Sequence, residues 1–282
     1  MANPAASRRD ARDRTVLTTG ANSGLGLATV IEVARAGFQS IGTVRSRAKA
    51  TAVRDAAREA GVQVETALLD VTDDVACRRI IDRVRPWGLV NNAGTSFTGA
   101  VEDVTDDEAR LALETMVLAP MRLSRLAVPH MRARGGGRIV NVSSIYGRAT
   151  TPLTGWYQGA KHALEALSDA LRMEVAGDGI HVVLVEPGGF KTGIWDAAED
   201  ELSRRAGSRY DAAYRRTVQG IRLSEWTRGH PSRVAKVVAR ALMSRSPRPR
   251  YLVGLDAQAF AWVDALTPTP VKDLLVRKSL GL

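Results

Sequence analysis

A single-domain, doubly wound α/β fold is predicted for this chain of 282 residues, with a predominantly parallel seven-stranded sheet and helices on both faces. Three observations predict it. Seven short apolar runs alternate with stretches of helical spacing, the pattern of a parallel sheet covered by its crossover helices. The first run, Thr15–Thr18, leads straight into a glycine-rich turn and a helix, the arrangement that offers a helix N-terminus to a pyrophosphate. The length and a hydrophobic content of 45% suit one large core, and nothing requires a second domain. Residues 1–13, small and charged, read as a flexible tail, which leaves residues 14–282 as the domain.

The elements follow in order. Thr19-Gly20-Ala21-Asn22-Ser23-Gly24-Leu25-Gly26 makes the turn, its glycines letting backbone approach phosphates and helix pack on strand. Apolar spacing carries the helix from Leu25 to Ala36, and Gly37 stops it. Gln39–Val44 is the second strand, whose end should carry an acidic residue if the ribose 2'-hydroxyl of NAD were recognised. The chain reads Thr43-Val44-Arg45-Ser46-Arg47 instead, and Arg45 can pair with a 2'-phosphate through a charge-assisted fork. NADP(H) is therefore expected over NAD(H). Residues 47–60 form a charged helix, and Val62–Leu69 is the third strand. It ends at Asp70-Val71-Thr72, where Asp70, with Val71 beside it, suits the adenine end of a cofactor or the cap of the next helix. Cys77 in that helix reads as buried filler, with no nearby feature to lower its thiol pKa.

The fourth strand, from Trp87, ends in Asn91-Asn92-Ala93-Gly94: side chains able to tie neighbouring strands together, then small residues that leave room for a cofactor. From Thr105 to Arg134 the spacing is helical, opened by Thr105-x-x-Glu108 and interrupted or kinked by Pro120 and Pro129. Arg138–Val142 is the fifth strand, a helix runs from about Gly155 to Ala176, and Ile180–Val185 is the sixth strand. Residues 193–230 hold Trp195, Tyr210, Tyr214 and Trp226 among arginines, which suits a helical flap over a substrate pocket or an aromatic surface packed on the sheet. A helix over Pro231–Ser244, a strand at Arg250–Val253 and an amphipathic tail over residues 255–282 complete the chain.

The chemistry concentrates between Asn141 and Lys161. Tyr157 precedes Lys161 by four residues, so on a helix the phenol and the ammonium are neighbours on one face. Lowering a phenol by about three pKa units takes roughly 4 kcal/mol. A lysine charge about 5 Å away, at an effective dielectric of about 20, supplies roughly 3 kcal/mol, so Lys161 is expected to acidify Tyr157. With five Tyr and six Lys in the chain, about 0.1 such pairs arise by chance. A serine hydroxyl thirteen residues upstream, in Asn141-Val142-Ser143-Ser144, joins them only if the chain folds back.

Composition narrows the remaining classes. Cys77 is the single cysteine, which excludes an intramolecular disulfide and makes a reducing, cytoplasmic setting the expectation. No apolar run reaches the ~18 residues of a membrane span. The net charge of +10 is concentrated between Ser203 and Arg250, where thirteen Arg and Lys face only Asp211 and Glu225. No aromatic-interleaved basic repeat accompanies it, so a solvated helical surface is expected rather than nucleic-acid binding. His130, His162, His181 and His230 show no paired spacing, and no metal site is expected.

Taken in order, these residues resemble the short-chain dehydrogenase/reductase family over roughly Arg14 to Arg250. Thr19–Gly26 is similar to its cofactor loop, Asn91–Gly94 to its Asn-Asn-Ala-Gly signature, and Ser144, Tyr157 and Lys161 to its active site. Pro187-Gly188 with Thr192 is similar to its segment after the sixth strand. Trp87–Gly94 and the tail also resemble, more faintly, the hydroxysteroid and retinol dehydrogenase branch. The resemblance implies a Rossmann-like oxidoreductase that interconverts a carbonyl and an alcohol by direct hydride transfer. Tyr157 would be the general acid or base, Lys161 would lower its pKa and hold the nicotinamide ribose, and Ser144, favoured over Ser143 by spacing, would bind the substrate oxygen. The expected cofactor contacts are Gly20, Asn22, Ser23, Gly24, Leu25, Gly26, Arg45, Asp70, Val71, Asn92, Ala93, Gly94, Tyr157, Lys161, Pro187, Gly188 and Thr192. A small carbonyl or alcohol substrate, apolar at least in part, and a homodimer or homotetramer are expected partners. One departure stands out: the family's asparagine in the middle of the long helix, which supports a relay water, aligns with Met116, and no asparagine lies from Thr95 to Gly137. That departure alone favours a rival reading, a nucleotide-sensing protein with little catalysis.

Overall fold

Strand β1 (Thr15–Thr18) lies near the middle of a seven-stranded sheet and pairs in parallel with β2 (Gln39–Val44) on one side and β4 (Gly88–Asn91) on the other. Outward from β2 lies β3 (Glu65–Leu68); outward from β4 lie β5 (Gly137–Val142), β6 (Ile180–Pro187) and β7 (Arg250–Val253). The order is β3-β2-β1-β4-β5-β6-β7, and every pairing is parallel. The chain winds outward in one direction through β3, then returns and winds in the other, so β1 and β4 flank the switch point where ligands bind in such sheets. This computed structural model describes residues 14–282; the tail expected over residues 1–13 lies outside the described residues.

The period of two along each strand divides the core between two faces. Val16, Val90, Val140, Val183 and Val185 point to one face, where they meet Val33 of α1 (Gly24–Arg35) and Val234, Val238 and Leu242 of α9 (Ser232–Met243). Their neighbours Leu17, Leu89, Ile139 and Val182 point to the other, against Cys77 and Ile81 of α3 (Asp74–Val84) and Leu123, Ala127 and Met131 of α5 (Ala119–Ala133). The remaining flank is closed by α2 (Arg47–Glu59), whose Val53 and Ala57 bury against Val44.

The long helical stretch is divided where proline demands it. Helix α4 (Asp106–Leu113) starts at a capping box in which Thr105 and Glu108 satisfy each other's backbone amides. A wider, π-type turn over Glu114–Leu118 precedes α5, which carries Pro120 in its first turn. Proline has no amide hydrogen for the carbonyl one turn back, and the wide turn is where that mismatch is taken up. Pro129 sits inside α5 without ending it. Helix α6 (Gly155–Glu174) stops two residues before the expected Ala176, and β3 is shorter than the expected Val62–Leu69.

Residues 193–230 form α7 (Ile194–Arg204), α8 (Asp211–Leu223) and a short turn over Glu225–Thr227. Leu202, Ala213, Tyr214 and Ile221 bury together with Ala100 and Leu153, and the Tyr214 hydroxyl accepts from the Ala100 amide at 2.9 Å while donating to Asp103. Trp195 donates to the Phe190 carbonyl at 2.7 Å, whereas Trp226 is exposed. Some of the local basic charge is spent on internal contacts: Arg205 reaches the Asp103 carbonyl at 2.6 Å and Glu108 at 2.8 Å, and Arg222 reaches Glu199 at 2.9 Å. The C-terminal stretch is two helices, α10 (Leu255–Leu266) and α11 (Thr269–Leu280). Among the described residues no helix is long and apolar enough to cross a membrane.

Candidate active site

The glycine turn after β1 is shaped by its own backbone. A Cβ on Gly26 would sit 2.1 Å from the Gly20 carbonyl oxygen and 2.6 Å from the Asn92 amide nitrogen, so only glycine fits. Asn92 closes the turn from the β4 side, donating to the carbonyls of Thr19 at 2.9 Å and Gly20 at 3.2 Å, while the Thr19 hydroxyl accepts from the amides of Asn92 and Ala93. Asn91 instead ties strands, donating to Asn141 at 2.8 Å, and Asn141 donates to Ser168 on α6 at 2.7 Å. The two asparagines thus do what their positions suggest, one for the sheet and one for the turn.

Helix α1 begins at Ser23, whose side chain does not cap it, and its first turn carries no acidic residue. The first amides of a helix have no intrahelical acceptor and favour an anion. Asn22, Ser23, Gly24 and Leu25 surround this N-terminus, and Thr192 overhangs it: a Cβ on Gly24 would lie 2.9 Å from the Thr192 methyl. Arg45 stands exposed at the end of β2, with Asp70 near it after the neighbouring strand β3. The Asp70 carboxyl is held below its usual range first by the Thr72 backbone amide and, among smaller contributions, by Arg45. Asp70 does not cap the following helix; Asp73 does, accepting from the Ala76 amide at 2.9 Å. Val71 lines a narrow gap with Thr19, Asn91, Ala93 and Thr115 at the switch point. An anionic dinucleotide fits this donor set: uncapped helix amides, a glycine cradle and a basic group with no carboxylate at the end of β2.

Sequence reasoning missed Asp256. At the start of α10, its carboxylate accepts from the Gly189 amide at 2.6 Å and closes over Gly188, next to Pro187. Nothing in the local sequence signals a contact between residues 67 positions apart.

Ser144, Tyr157 and Lys161 come together at the C-terminal end of β5. The turn after β5 reverses the chain so that Ser144 faces Tyr157, and the serine hydroxyl also accepts from the Tyr146 amide at 3.2 Å. Ser143 points away, toward Gly147 and Glu165. Lys161 Nζ lies 5.7 Å from the centre of the Tyr157 ring and donates to the Val142 carbonyl at 2.9 Å. Tyr146 meets Tyr157 edge-on at 6.5 Å, and Phe260 of α10 meets Tyr146 at 6.2 Å, so an aromatic wall runs from the phenol to the C-terminal helices.

The electrostatics correct one expectation. Burial pushes Tyr157 up to about 12, against a smaller downward pull from Ser144, and burial pushes Lys161 down to about 8. Loss of water penalises both charged forms, and no downward pull of Lys161 on the phenol offsets it. At neutral pH the phenol holds its proton.

Met116 is buried within the wide turn and packs with Phe97, Ala112, Val117 and Ala160, with Tyr157 at the edge of the cluster. Its thioether lies against Gly94. Cys77 is buried, its thiol pushed up by burial. Among the described residues no group of His, Cys, Asp or Glu could hold a metal ion.

Comparison with known proteins agrees with this geometry. Residues 14–203 match the short chain dehydrogenase family. The oxidoreductase YusZ of Bacillus subtilis is 32% identical over 95% of this chain and 98% of its own length. Human retinol dehydrogenase 16 is 30% identical, over 94% of this chain and 88% of its own. Among solved structures, a short-chain dehydrogenase from Streptomyces avermitilis superposes with a TM-score of 0.76 at 32% identity, covering 95% of this chain and 97% of that one. The L-sorbose reductase of Gluconobacter frateurii, complexed with NADPH and L-sorbose, gives 0.73 at 26% identity, covering 86% and 95%.

Proposed function

This chain belongs to the short-chain dehydrogenase family, and from that premise we propose that it is an NADP(H)-dependent oxidoreductase interconverting an apolar ketone or aldehyde with its alcohol by direct hydride transfer. The observation that carries this reading is the meeting of Ser144, Tyr157 and Lys161 beside the glycine turn at the switch point of the sheet.

The bound dinucleotide supplies or accepts the hydride. Its phosphates would lie at the N-terminus of α1 within Gly20 to Gly26, the 2'-phosphate at Arg45, and the adenine end by Asp70 and Val71. Ala93, Gly94, Pro187, Gly188 and Thr192 would border the nicotinamide half. The chain's own residues orient the substrate and move the proton. Ser144 would donate to the substrate oxygen, and Tyr157 would transfer its proton to that oxygen as negative charge develops. Lys161, anchored at Val142, would hold the nicotinamide ribose with its remaining hydrogens.

NADPH in the sorbose reductase complex and an arginine where the end of β2 would carry a carboxylate for NAD both support NADP(H). Tyr146 beside the phenol, backed by Phe260, supports an apolar substrate. Exposed Leu111 and Leu118 on the long helical stretch, with Leu167 and Met173 on α6, support a homodimer or homotetramer. The lone buried thiol supports a cytoplasmic setting.

Met116 favours a second reading, a nucleotide sensor with little catalysis. Following NADPH absorbance against a panel of apolar ketones separates the two. Turnover supports the oxidoreductase; tight NADPH binding with no turnover across the panel supports the sensor.

A further inference from the structure

Beneath the catalytic turn lies a cluster of charges that the proposed reaction leaves without a role. On α6, Glu165 follows Lys161 by four residues, as Lys161 follows Tyr157, so the three side chains share one face. Glu165 is buried, and its Oε2 accepts from Nε of Arg250 on β7 at 3.2 Å. The same nitrogen lies 3.2 Å from Oε1 of Glu186, a residue of β6 with no exposure, and Arg148 holds Glu186 Oε2 at 2.6 Å. Arg250 also pairs with Asp169 of α6, which Arg172 holds at 3.0 Å. The carboxylates of Glu165, Glu186 and Asp169 are thus matched by the guanidiniums of Arg148, Arg172 and Arg250.

Apart from each other, neither Glu165 Oε1 nor the buried Ser143 hydroxyl has a hydrogen-bond partner. Both border Gly147, where an added Cβ would sit 2.7 Å from the hydroxyl and 3.2 Å from the carboxylate oxygen. A carboxylate oxygen with so little around it to donate is costly to keep in so dry a place, and its field reaches neighbouring charges with little screening.

We propose that Glu165 is a positioning residue for the reaction: it supplies the countercharge to the buried Lys161 amine and, across Gly147, faces the Ser143 hydroxyl at the start of the turn that presents Ser144. The proposal rests on the reaction assigned above. The groups that face Glu165 are Lys161 from its own helix, Ser143 from the turn after β5, Glu186 from β6 and Arg250 from β7. Lys161 is driven down by burial, and the charge of Glu165 opposes that drive. Glu165 is itself raised by burial, with the Ser143 hydroxyl pulling the other way. Without the carboxylate, the amine would lose its proton, and its hold on a sugar hydroxyl as a charged donor, at lower pH.

The test is the pH dependence of kcat for ketone reduction by NADPH in the wild type, Glu165→Gln and Glu165→Asp, with near-ultraviolet circular dichroism and NADPH binding to establish folding. The Gln variant keeps the shape and removes the charge, so the alkaline limb set by Lys161 should move to lower pH by about one unit, with KM for the ketone near the wild-type value. The Asp variant keeps the charge but withdraws it by one methylene, and its limb should fall between the two. A wild-type limb in either folded variant overturns the proposal, and if the Gln variant does not fold, the Asp variant decides on the same criterion. A wild-type enzyme that turns over no ketone with NADPH overturns the assigned reaction itself, an outcome distinct from an unchanged limb in an active enzyme.

Discussion

The amine of Lys161 is bound 2.9 Å from the carbonyl oxygen of Val142, the last residue of the strand whose end carries the serine pair. A buried cation held by one neutral carbonyl, with the charge of Glu165 only partly opposing, loses its hydration, and its pKa falls to about 8 from the ordinary 10.5.

The sign of the stability effect follows from that value. Between pH 8 and 10.5 the unfolded chain binds more protons at this position than the folded chain, so stability rises with pH across the window; below it the full penalty remains. Lys161→Met removes the penalty and loses one hydrogen bond. The variant should be more stable than the wild type at pH 7 by ~1–3 kcal/mol, a gain that shrinks toward pH 10. Urea midpoints measured from pH 7 to pH 10 check it, and a difference that stays constant with pH contradicts it.

Arg45 is the basic group at the end of β2 where NAD recognition would use a carboxylate. A charge-assisted hydrogen bond contributes about 1.5–3 kcal/mol. Arg45→Ala should therefore weaken NADPH binding by about 10- to 100-fold and leave NADH binding nearly unchanged, as read by cofactor fluorescence titration. Equal weakening for both cofactors contradicts the assignment.

Met116 packs in an apolar cluster that reaches Tyr157. Met116→Asn places an amide there, at a cost of about 1–3 kcal/mol if its hydrogen bonds go unmet. The substitution should change the pH dependence of turnover while retaining NADPH binding. Superimposable pH–rate profiles for the two forms would remove any role for this position in proton transfer.

The sheet was legible because each strand is a short apolar run bounded by turn residues, and because Thr15–Thr18 passes directly into its glycine turn. The interruption of the long helix was legible from Pro120, although its form, a wide turn over Glu114–Leu118, was not. Residues 193–230 were obscure because Tyr214 and Leu202 bury against Ala100 and Leu153, partners far away in sequence. The same distance hid Asp256 over Gly188 and Arg250 beside Glu165. Spacing along a helix correctly placed Tyr157 near Lys161, but it carries no information on hydration. For that reason the expected acidification of the phenol gave way to a raised pKa.

The central claim is that the Tyr157 hydroxyl donates the proton while the nucleotide cleft works independently of it. The most direct measurement compares Tyr157→Phe with the wild type in NADPH affinity and in kcat for ketone reduction. The variant should bind NADPH with near wild-type affinity and lose about 10²–10⁴-fold in kcat, the contribution of a positioned general acid. A variant that reduces ketone at the wild-type rate would contradict the account.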